Sequence, residues 1–204
     1  MGRGRKKQYI KKLTTKDSRM LEAFRSAGYM NEKHLKDDLS QADKRIKNFE
    51  HDGYIEKCSV YRHDKRSMES VYRLTKKGKE LASTQLNLKN FYRSCSSRHD
   101  LAVADRYFRA SEEQRSNWLT EQDWKDRMQE HIQSLYEARE IARASQLQER
   151  LEERSMSYPD GGYVSETGQV IAIEVITKNY SEAEIEAKEE FVQELKADYE
   201  SVRI

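Results

Sequence analysis

Apolar residues recur at helical spacing near the start of the chain. Met20, Leu21 and Phe24 share one face of a helix that is predicted to begin at Asp17 and to end near Gly28. A glycine at that position suits the left-handed backbone conformation in which many helices terminate. The pattern therefore predicts an amphipathic helix that packs one face into a core.

Two further helices are predicted directly after the first. Asn31 is expected to cap the second helix, with Met30 and Leu35 as a hydrophobic staple. Ser40 is expected to cap the third helix, which ends at Gly53. The apolar face of the third helix consists of Ala42, Ile46 and Phe49.

The hydrophobic pattern then changes from helical spacing to alternation. Residues 54–61 and 70–74 alternate between apolar and polar positions, and the polar turn 63–67 joins them. A further helix is predicted from Thr75. Three helices and a two-stranded wing together predict a winged helix-turn-helix domain over residues 17–85.

The segments 45–57 and 72–81 resemble the winged helix-turn-helix superfamily closely. The resemblance implies that the third helix enters the major groove of double-stranded DNA and that the wing contacts the adjacent backbone. The DNA-binding residues implied in this way are Gln41, Lys44, Arg45 and Asn48 on the helix, with Arg62, Lys65 and Arg66 at the wing tip. The alternatives are a winged helix that mediates protein contacts and a basic face that is only solvated.

Residues 1–16 form a basic segment without any acidic residue. Arg3, Arg5, Lys6 and Lys7 lie early in this segment. A flexible basic arm of this kind is suited to binding phosphates or a minor groove. A tail that only improves solubility is the alternative.

The most apolar run of the chain, residues 170–177, follows the only proline and a short polar loop. The segment 159–161 reads Pro-Asp-Gly, and the loop 166–168 reads Glu-Thr-Gly. These turn residues on either side of an apolar run predict a β-hairpin. A helix over residues 181–199 is predicted to follow it.

Two carboxylates of this hairpin are candidate metal ligands. Asp160 opens the first strand and Glu174 lies midway along the second, so a tight hairpin can bring them together. Oxygen ligands of this kind suit Mg²⁺ or Mn²⁺. Such a pair with a nearby lysine suits metal-assisted hydrolysis of a phosphodiester. The alternative is a surface hairpin with ordinary turn chemistry and a solvated Glu174.

This arrangement resembles the PD-(D/E)XK nuclease superfamily, with Asp160 and Glu174 in its acidic positions. The superfamily's lysine is expected two residues after the second acid, where this chain has Ile176. Lys178 lies one step further along the same face of the strand, and Lys188 lies in the following helix. The resemblance implies that one of these two lysines takes the catalytic role.

A polar connection at residues 86–97 is predicted to separate the two domains. His99 lies in the first turn of the helix that follows, where it belongs either to the catalytic site or to a helix cap or core. Residues 122–156 are predicted to form one nearly continuous helix that packs on the hairpin or against a second copy of the chain as a homodimer.

The order of these motifs resembles the replication-relaxation family of mobile-element proteins over about residues 17–199. The motifs are the winged helix, a helix beginning His99-Asp100-Leu101-Ala102-Val103, then Trp118-Leu119-Thr120-Glu121, then the hairpin acids and a distal lysine. The resemblance implies a role in the replication, relaxation or processing of DNA. It also implies a plasmid, a phage or an integrative element as the source.

The composition limits the other classes of function. Charged residues make up 36% of the chain, and the mean hydropathy is −1.06. No apolar stretch is long enough to span a membrane and the N-terminus lacks the apolar core of a secretory signal, so a cytoplasmic location is expected. Cys58 and Cys95 are too few for a disulfide framework, and their separation argues against structural zinc.

The sequence thus predicts an α+β protein with a basic arm, an N-terminal winged helix-turn-helix and a small PD-(D/E)XK nuclease-like domain over residues 98–204. The leading function is a DNA-binding protein of a mobile element whose nuclease-like domain is degenerate or active. One alternative is a Mg²⁺-dependent endonuclease. Another is a transcriptional regulator whose second domain dimerises or binds a protein partner.

Overall fold

The computed structural model describes residues 8–62, 66–93 and 96–204. They form a mixed α+β fold with two separate β-sheets, which confirms the α+β part of the predicted fold class. The chain divides into two compact units, Met1–Phe108 (unit 1) and Arg109–Ile204 (unit 2). Among the described residues, no helix has both the length and the apolar character needed to cross a bilayer.

Unit 1 contains an antiparallel three-stranded sheet and four α-helices among its described residues. The helices are α1 (Thr15–Ala27), α2 (Asp43–His51), α3 (Lys76–Leu86) and α4 (Ser97–Arg109), the last of which ends just past the unit boundary. The strands are β1 (Tyr29–Asn31), β2 (Ile55–Arg62) and β3 (Ser67–Leu74), in the spatial order β1-β3-β2.

The apolar face predicted for the first helix is confirmed, and that of the third is confirmed at Ile46 and Phe49 but not at Ala42, which is exposed and precedes the helix. Met20, Leu21 and Phe24 of α1 are buried, as are Ile46 and Phe49 of α2. Helix α1 also begins with a reciprocal capping box, in which the residue before the helix and its third residue satisfy each other's main-chain N–H groups. Such a cap stabilises a helix by about 1 kcal/mol.

The second predicted helix is present but short, and the cap predicted at Asn31 is confirmed. Residues Tyr29–Asn31 form strand β1, because they pair with β3 and so satisfy their main-chain groups. Residues 32–38 are helical, the last five as a π-helical turn, His34–Asp38, and Oδ1 of Asn31 caps this segment by accepting a hydrogen bond from the His34 N–H over 3.0 Å. Ser40 is not the cap of α2, which begins at Asp43, and it has a positive φ of 50°.

Helix α4 packs with unit 1, whereas the sequence analysis assigned it to the second domain. His34 Nε2 lies 2.9 Å from Oδ1 of Asp105, and the His34 ring stacks on Phe108 at 5.0 Å between centroids. The main-chain N–H of Tyr92, in the segment between α3 and α4, donates to the carbonyl of Arg25 in α1 over 2.7 Å. These contacts hold α4 and the segment before it against the first helix and the π-helical turn.

Unit 2 contains a four-stranded sheet and four helices among its described residues. The helices are α5 (Glu112–Ser116), α6 (Glu121–Glu137), α7 (Ile141–Glu152) and α8 (Glu182–Glu194). The strands are β4 (Trp118–Thr120), β5 (Gly161–Val164), β6 (Val170–Ile176) and β7 (Asp198–Arg203). Their spatial order is β4-β5-β6-β7, with β7 parallel to β6 and the other pairs antiparallel.

The single long helix predicted over residues 122–156 is instead two helices. Helix α6 ends at Glu137, Arg139 takes a positive φ of 63°, and α7 begins at Ile141. The break allows both helices to bury apolar residues in the same core, which a straight helix of that length cannot do. The members of this core include Trp124, Met128, Ile132, Leu147, Ala172 and Phe191.

The last predicted helix is too long at its C-terminal end. Helix α8 ends at Glu194, and Lys196 has a positive φ of 52°. The chain then forms β7, which pairs in parallel with β6. Because β7 takes the free edge of β6, the apolar strand β6 is central in the sheet and is buried on both faces.

Glycines bring the first strand of the predicted hairpin close to the core. The β5–β6 hairpin is present, and Gly162 pairs with Ala172 across it. A Cβ atom on Gly162 would lie 2.3 Å from the carbonyl oxygen of Ile171 and 2.7 Å from the Trp124 ring. The indole N–H of Trp124 donates to the carbonyl of the neighbouring Gly161 over 3.0 Å. This contact fixes the start of β5, directly after Asp160.

Candidate functional site

Two carboxylates meet at the open end of the β5–β6 hairpin. Asp160 immediately precedes β5, and Gly161 pairs with Ile173, so Asp160 lies beside Glu174. The main-chain N–H of Asp160 donates to Oε2 of Glu174 over 3.1 Å. Oδ2 of Asp160 in turn accepts the main-chain N–H of Val175 over 2.8 Å. The hairpin therefore brings the two predicted metal ligands together and orients both through the backbone.

Lys188, in the helix α8 that connects β6 to β7, contacts Glu174 of this pair. Its Nζ lies 2.9 Å from Oε1 of Glu174, and it also donates to the carbonyl of Tyr158. Helix α8 starts at a capping box on Ser181 and buries Phe191 in the core, so the position of Lys188 is set at both ends of the helix. The Lys188 side chain is only 12% exposed.

Tyr180 supplies a further donor to the same carboxylate. Its hydroxyl donates to Oε1 of Glu174 over 3.0 Å. Oε1 therefore has two donors, Lys188 and Tyr180, while Oε2 has the N–H of Asp160. A fully buried carboxylate such as Glu174 needs hydrogen-bond donors for both of its oxygens, because an unpaired buried charge is very costly.

Opposing effects act on the pKa of Glu174. Burial raises it most, and the neighbouring Asp160 charge raises it further. The Lys188 ammonium and the Tyr180 hydroxyl lower it, but the net result is a pKa raised from 4.5 to about 7. A carboxyl group that ionises near neutral pH beside a second acid and an ammonium is typical of a functional site.

Tyr199 of β7 lies on the same face of the sheet as Glu174. It pairs with Ala172, which is two residues from Glu174 and so points the same way from the strand. The Tyr199 hydroxyl oxygen is buried and has no hydrogen-bond partner among the described residues. Burial first, and then the charges of Glu174, Glu189 and Asp160, raise the pKa of this phenol above its usual value.

The other two catalytic residues of the prediction lie elsewhere. Lys178 is exposed in the turn after β6, and it is Lys188 that contacts Glu174. His99 is buried in unit 1, where Nδ1 lies 3.2 Å from the Tyr92 hydroxyl and 3.6 Å from Oδ1 of Asp100. Ile176, in the position of the missing lysine, is buried in β6.

Two of the predicted DNA-binding residues are engaged inside unit 1. Gln41 is buried, and its amide donates to the carbonyl of Lys16 over 2.8 Å. Arg45 donates to both carboxylate oxygens of Asp17, at 3.0 and 2.6 Å, and to the carbonyl of Lys12 at 2.8 Å. Asp17 is fully buried, so the Arg45–Asp17 pair is structural in character.

The remaining predicted DNA-binding residues are more accessible. Lys44 is exposed and Asn48 is half-buried on α2. At the wing, Arg62 forms an ion pair with Glu69 at 3.0 Å, and Arg66 is exposed with a positive φ of 49°. The predicted residues Arg3, Arg5, Lys6, Lys7 and Lys65 lie outside the described part of the chain.

The Asp160–Glu174 pair offers the donor set that Mg²⁺ or Mn²⁺ takes from proteins. Nowhere in the described residues are three or more His, Cys, Asp or Glu side chains grouped so that they could hold a metal. Mg²⁺, however, is usually bound by one or two carboxylates and fills its other positions with water and substrate phosphate. Two adjacent carboxylates, one of them half-buried at the surface, therefore fit this ion.

Sequence reasoning missed both tyrosines of the site. Tyr180 lies in the loop between β6 and α8, where nothing in the sequence pattern marks it as a hydrogen-bond donor to Glu174. Tyr199 was assigned to the end of a helix, so its pairing beside Ala172 was not predicted. The segment 198–203 has no apolar–polar alternation, because Tyr199 and Val202 lie on opposite faces, so the sequence carries no clear signal for this strand.

Comparison of the chain with protein-family models, with curated proteins and with solved structures found no match. The resemblances to the winged helix-turn-helix, PD-(D/E)XK and replication-relaxation families therefore stay predictions.

Proposed function

We propose that this protein binds double-stranded DNA through unit 1 and cleaves a phosphodiester bond with Mg²⁺ or Mn²⁺ in unit 2. The observation that carries the proposal is the convergence of Asp160, Glu174 and Lys188, which come from a strand entry, a strand and a helix. Two neighbouring acids and an ammonium that contacts one of them are the groups that metal-assisted hydrolysis of a phosphodiester needs.

Each residue of the site has a separate role in this proposal. Asp160 and Glu174 would hold the cation, which when bound supplies a Lewis acid and lowers the pKa of water. The Val175 N–H and the Tyr180 hydroxyl keep the two carboxylates in fixed orientations. Lys188 keeps a positive charge beside them, where it can stabilise the negative charge that develops on a phosphate.

The order of elements in unit 1 supports the DNA-binding half of the proposal. Helix α2 is followed by the long β2–β3 hairpin and by α3, which is the order of a winged helix-turn-helix. In that fold α2 would be the recognition helix, and it exposes Lys44 and Lys47. Action on the DNA of a mobile element, in the cytoplasm, is the biological setting that the motif order favours.

A non-catalytic nuclease-like unit is the second candidate, and one observation favours it. Glu174 is completely buried, and both of its oxygens already accept hydrogen bonds from Lys188, Tyr180 and Asp160. A carboxylate satisfied in this way can serve a purely structural purpose. The protein would then be a DNA-binding protein, such as a regulator, whose second unit binds a partner.

A nicking assay with metal-dependent melting distinguishes the two candidates. Wild type should nick supercoiled plasmid with Mg²⁺ or Mn²⁺ and should melt at a higher temperature when either metal is added. Asp160→Asn should lose both effects, because it removes one ligand charge and keeps the side-chain shape. If wild type nicks nothing and metal leaves its melting temperature unchanged, the catalytic proposal fails and the second candidate stands.

A further inference from the structure

A buried carboxylate at the end of α2 holds the first described residues of the chain. Oδ2 of Asp52 accepts the main-chain N–H groups of Tyr9 and Ile10, over 2.8 and 2.7 Å. The Asp52 side chain is only 3% exposed, and Ile10 is buried. Hydrogen bonds to an ionised carboxylate are roughly twice as strong as those between neutral groups. Asp52 therefore fixes residues 9 and 10 beside the C-terminal end of α2.

Arg45 holds the same segment two helical turns earlier. It donates to the carbonyl of Lys12 over 2.8 Å. Arg45 and Asp52 are seven residues apart, so they lie on one flank of α2 and about 10 Å apart along its axis. The chain from Tyr9 to Lys12 can span at most about 11 Å. The segment 8–12 thus runs along this flank of α2, in the direction opposite to the helix.

The exposed charges beside the segment are basic. The Tyr9 ring meets the His51 ring edge-on at 4.7 Å between centroids, and Lys44 lies two turns before His51 on the same side of α2. Lys44, Lys11 and Lys12 are all exposed. Within the described part of the chain, none of these three lysines forms an ion pair with an acid. Their positive charges are therefore open to an anion from another molecule.

The acids that contact this segment are buried and already bonded. Asp52 binds the two main-chain N–H groups, and Arg45 holds the fully buried Asp17 over 2.6 Å. Residues 8–16 contain no acidic residue. No acid on this flank is therefore placed to neutralise the exposed lysines.

A surface of balanced charge lies on the other flank of α2. Asp43 and Glu50, which are also seven residues apart, both face a cleft on that flank. The charged residues that line this cleft are three acids and three lysines, namely Glu32, Asp43 and Glu50 with Lys36, Lys47 and Lys57. The two flanks thus differ in charge, and the flank that carries the segment 8–12 is the one that attracts a polyanion.

The position of the segment beside a helix indicates which part of a polyanion it meets. In the DNA binding proposed above, α2 enters the major groove. That groove is about 12 Å wide, and an α-helix with its side chains, about 10 to 12 Å across, fills it. A segment fixed to the flank of such a helix lies against one of the two phosphate backbones that border the groove. Lys11 and Lys12 are then the groups that neutralise those phosphates.

We propose that the segment 8–12 is a second part of the DNA interface, in which Lys11 and Lys12 bind backbone phosphates and Asp52 is the positioning residue that holds them beside α2. The proposal rests on the DNA binding proposed above. It adds the contact made by the segment and a role for a buried acid that does not itself touch DNA.

The test measures binding of the full chain to a short dye-labelled duplex by fluorescence anisotropy at several salt concentrations. Lys11→Ala with Lys12→Ala should bind about tenfold or more weakly at about 0.1 M salt. The slope of log affinity against log salt should become shallower by about 2, because two phosphate contacts are lost. Lys79→Ala with Lys89→Ala is the control of equal charge, since both lysines are exposed in unit 1 on α3 and the segment after it. The control should leave the slope unchanged.

A double-mutant cycle isolates the positioning role of Asp52. Asp52→Ala removes the acceptor of both N–H groups and releases the segment, so it should weaken binding about as much as the loss of the two lysines. In the background that lacks Lys11 and Lys12, the same change should weaken binding by less than about twofold, because the lysines that it positions are absent. Asp52→Asn keeps an acceptor oxygen and should retain most of the binding.

Trypsin digestion reports the release of the segment independently of DNA affinity. Trypsin cleaves after lysine where the chain is accessible and can leave the protein surface. Asp52→Ala should therefore be cut after Lys11 and Lys12 faster than wild type, and the duplex should protect both bonds in wild type. Equal cleavage rates for Asp52→Ala and wild type without DNA would show that Asp52 does not hold the segment.

The outcomes separate this proposal from the one on which it rests. If wild type does not bind the duplex, DNA binding itself fails and the role of the segment fails with it. If wild type binds but the loss of Lys11 and Lys12 changes neither affinity nor slope, the segment lies outside the interface and this proposal alone is refuted. If Asp52→Ala weakens binding equally in both backgrounds, its effect is a general loss of structure, and the positioning role is refuted.

Discussion

Nζ of Lys188 lies 2.9 Å from Oε1 of Glu174, and the Glu174 side chain is completely buried. The nuclease motif requires a lysine two residues after its second acid, where this chain has the buried Ile176. Helix α8 instead brings a lysine to that acid from fourteen residues further along the chain. Tertiary contact thus places an ammonium beside Glu174 that the neighbouring residues in the sequence do not supply.

Replacement of Lys188 by Met should destabilise unit 2 and also reduce any nicking. The change leaves Glu174 buried without its cation, and breaking a buried ion pair costs about 3 to 5 kcal/mol. Urea denaturation at pH 8, where Glu174 is ionised, would measure the loss. Lys178→Met is the matched control, because Lys178 is exposed, and its effect should be below about 0.5 kcal/mol. Equal midpoints for the two variants would contradict the role given to Lys188.

The protein should lose stability as the pH rises from about 4.5 to about 7. The pKa of Glu174 is raised in the folded state to about 7, so folding holds a proton that the unfolded chain releases near 4.5. The stabilisation from this proton is complete below the pKa of Glu174 in the unfolded chain, and it is lost as the pH rises through the pKa of Glu174 in the folded protein. A shift of this size corresponds to a few kcal/mol, on the order of 3.

Glu174→Gln provides the control for this pH dependence. The amide keeps the shape of the side chain but cannot ionise, so this part of the slope of unfolding free energy against pH should disappear. The measurement is a series of urea titrations between pH 4.5 and 7.5 without metal. A slope that persists unchanged in the variant would show that another group titrates in this range.

Removal of the Tyr199 hydroxyl should leave the protein as stable or make it more stable. The oxygen is buried without a hydrogen-bond partner among the described residues, and such a group costs about 1 to 3 kcal/mol. Tyr199→Phe removes it and keeps the ring, so the melting temperature should stay level or rise. Tyr136→Phe should lower it, because the Tyr136 hydroxyl donates to Gln148 over 2.8 Å. Losses of similar size in both variants would mean that the Tyr199 hydroxyl is satisfied, for example by a buried water.

Arg45 should contribute to the stability of the protein, whereas the exposed lysines of α2 should contribute to DNA binding. Burial would raise the pKa of Asp17, but hydrogen bonds from Arg45 and Thr14 outweigh it and leave that pKa below its usual value. Arg45→Ala breaks this pair and should cost roughly 2 kcal/mol of stability, since a charged group is then left unpaired.

The double variant Lys44→Ala with Lys47→Ala should preserve stability and weaken DNA binding. Both side chains are exposed, so two phosphate contacts would be lost without a change in the core. The slope of log affinity against log salt should become shallower by about 2. Gel-shift titrations at several salt concentrations would measure it. An unchanged slope would remove α2 from the DNA interface.

The sequence by itself determined which segments could form a site of this kind. A continuous apolar run and the turn residues around it placed Asp160 and Glu174 at facing positions of a hairpin, and β5 pairs with β6 as predicted. Helical periodicity likewise identified the buried faces of α1 and α2. These features depend on neighbours a few residues apart, which the order of side chains records directly.

Only the tertiary structure decided which groups complete the site. A periodic pattern shows that one face of an element is covered, but it does not show which distant segment covers it. Parallel pairing of β7 with β6 joins segments that are not adjacent in the chain, and it puts Tyr199 on the face of Glu174. The same long-range packing selected Lys188 over Lys178 and turned Arg45 toward the buried Asp17, because a charge cannot be buried without a partner of opposite sign.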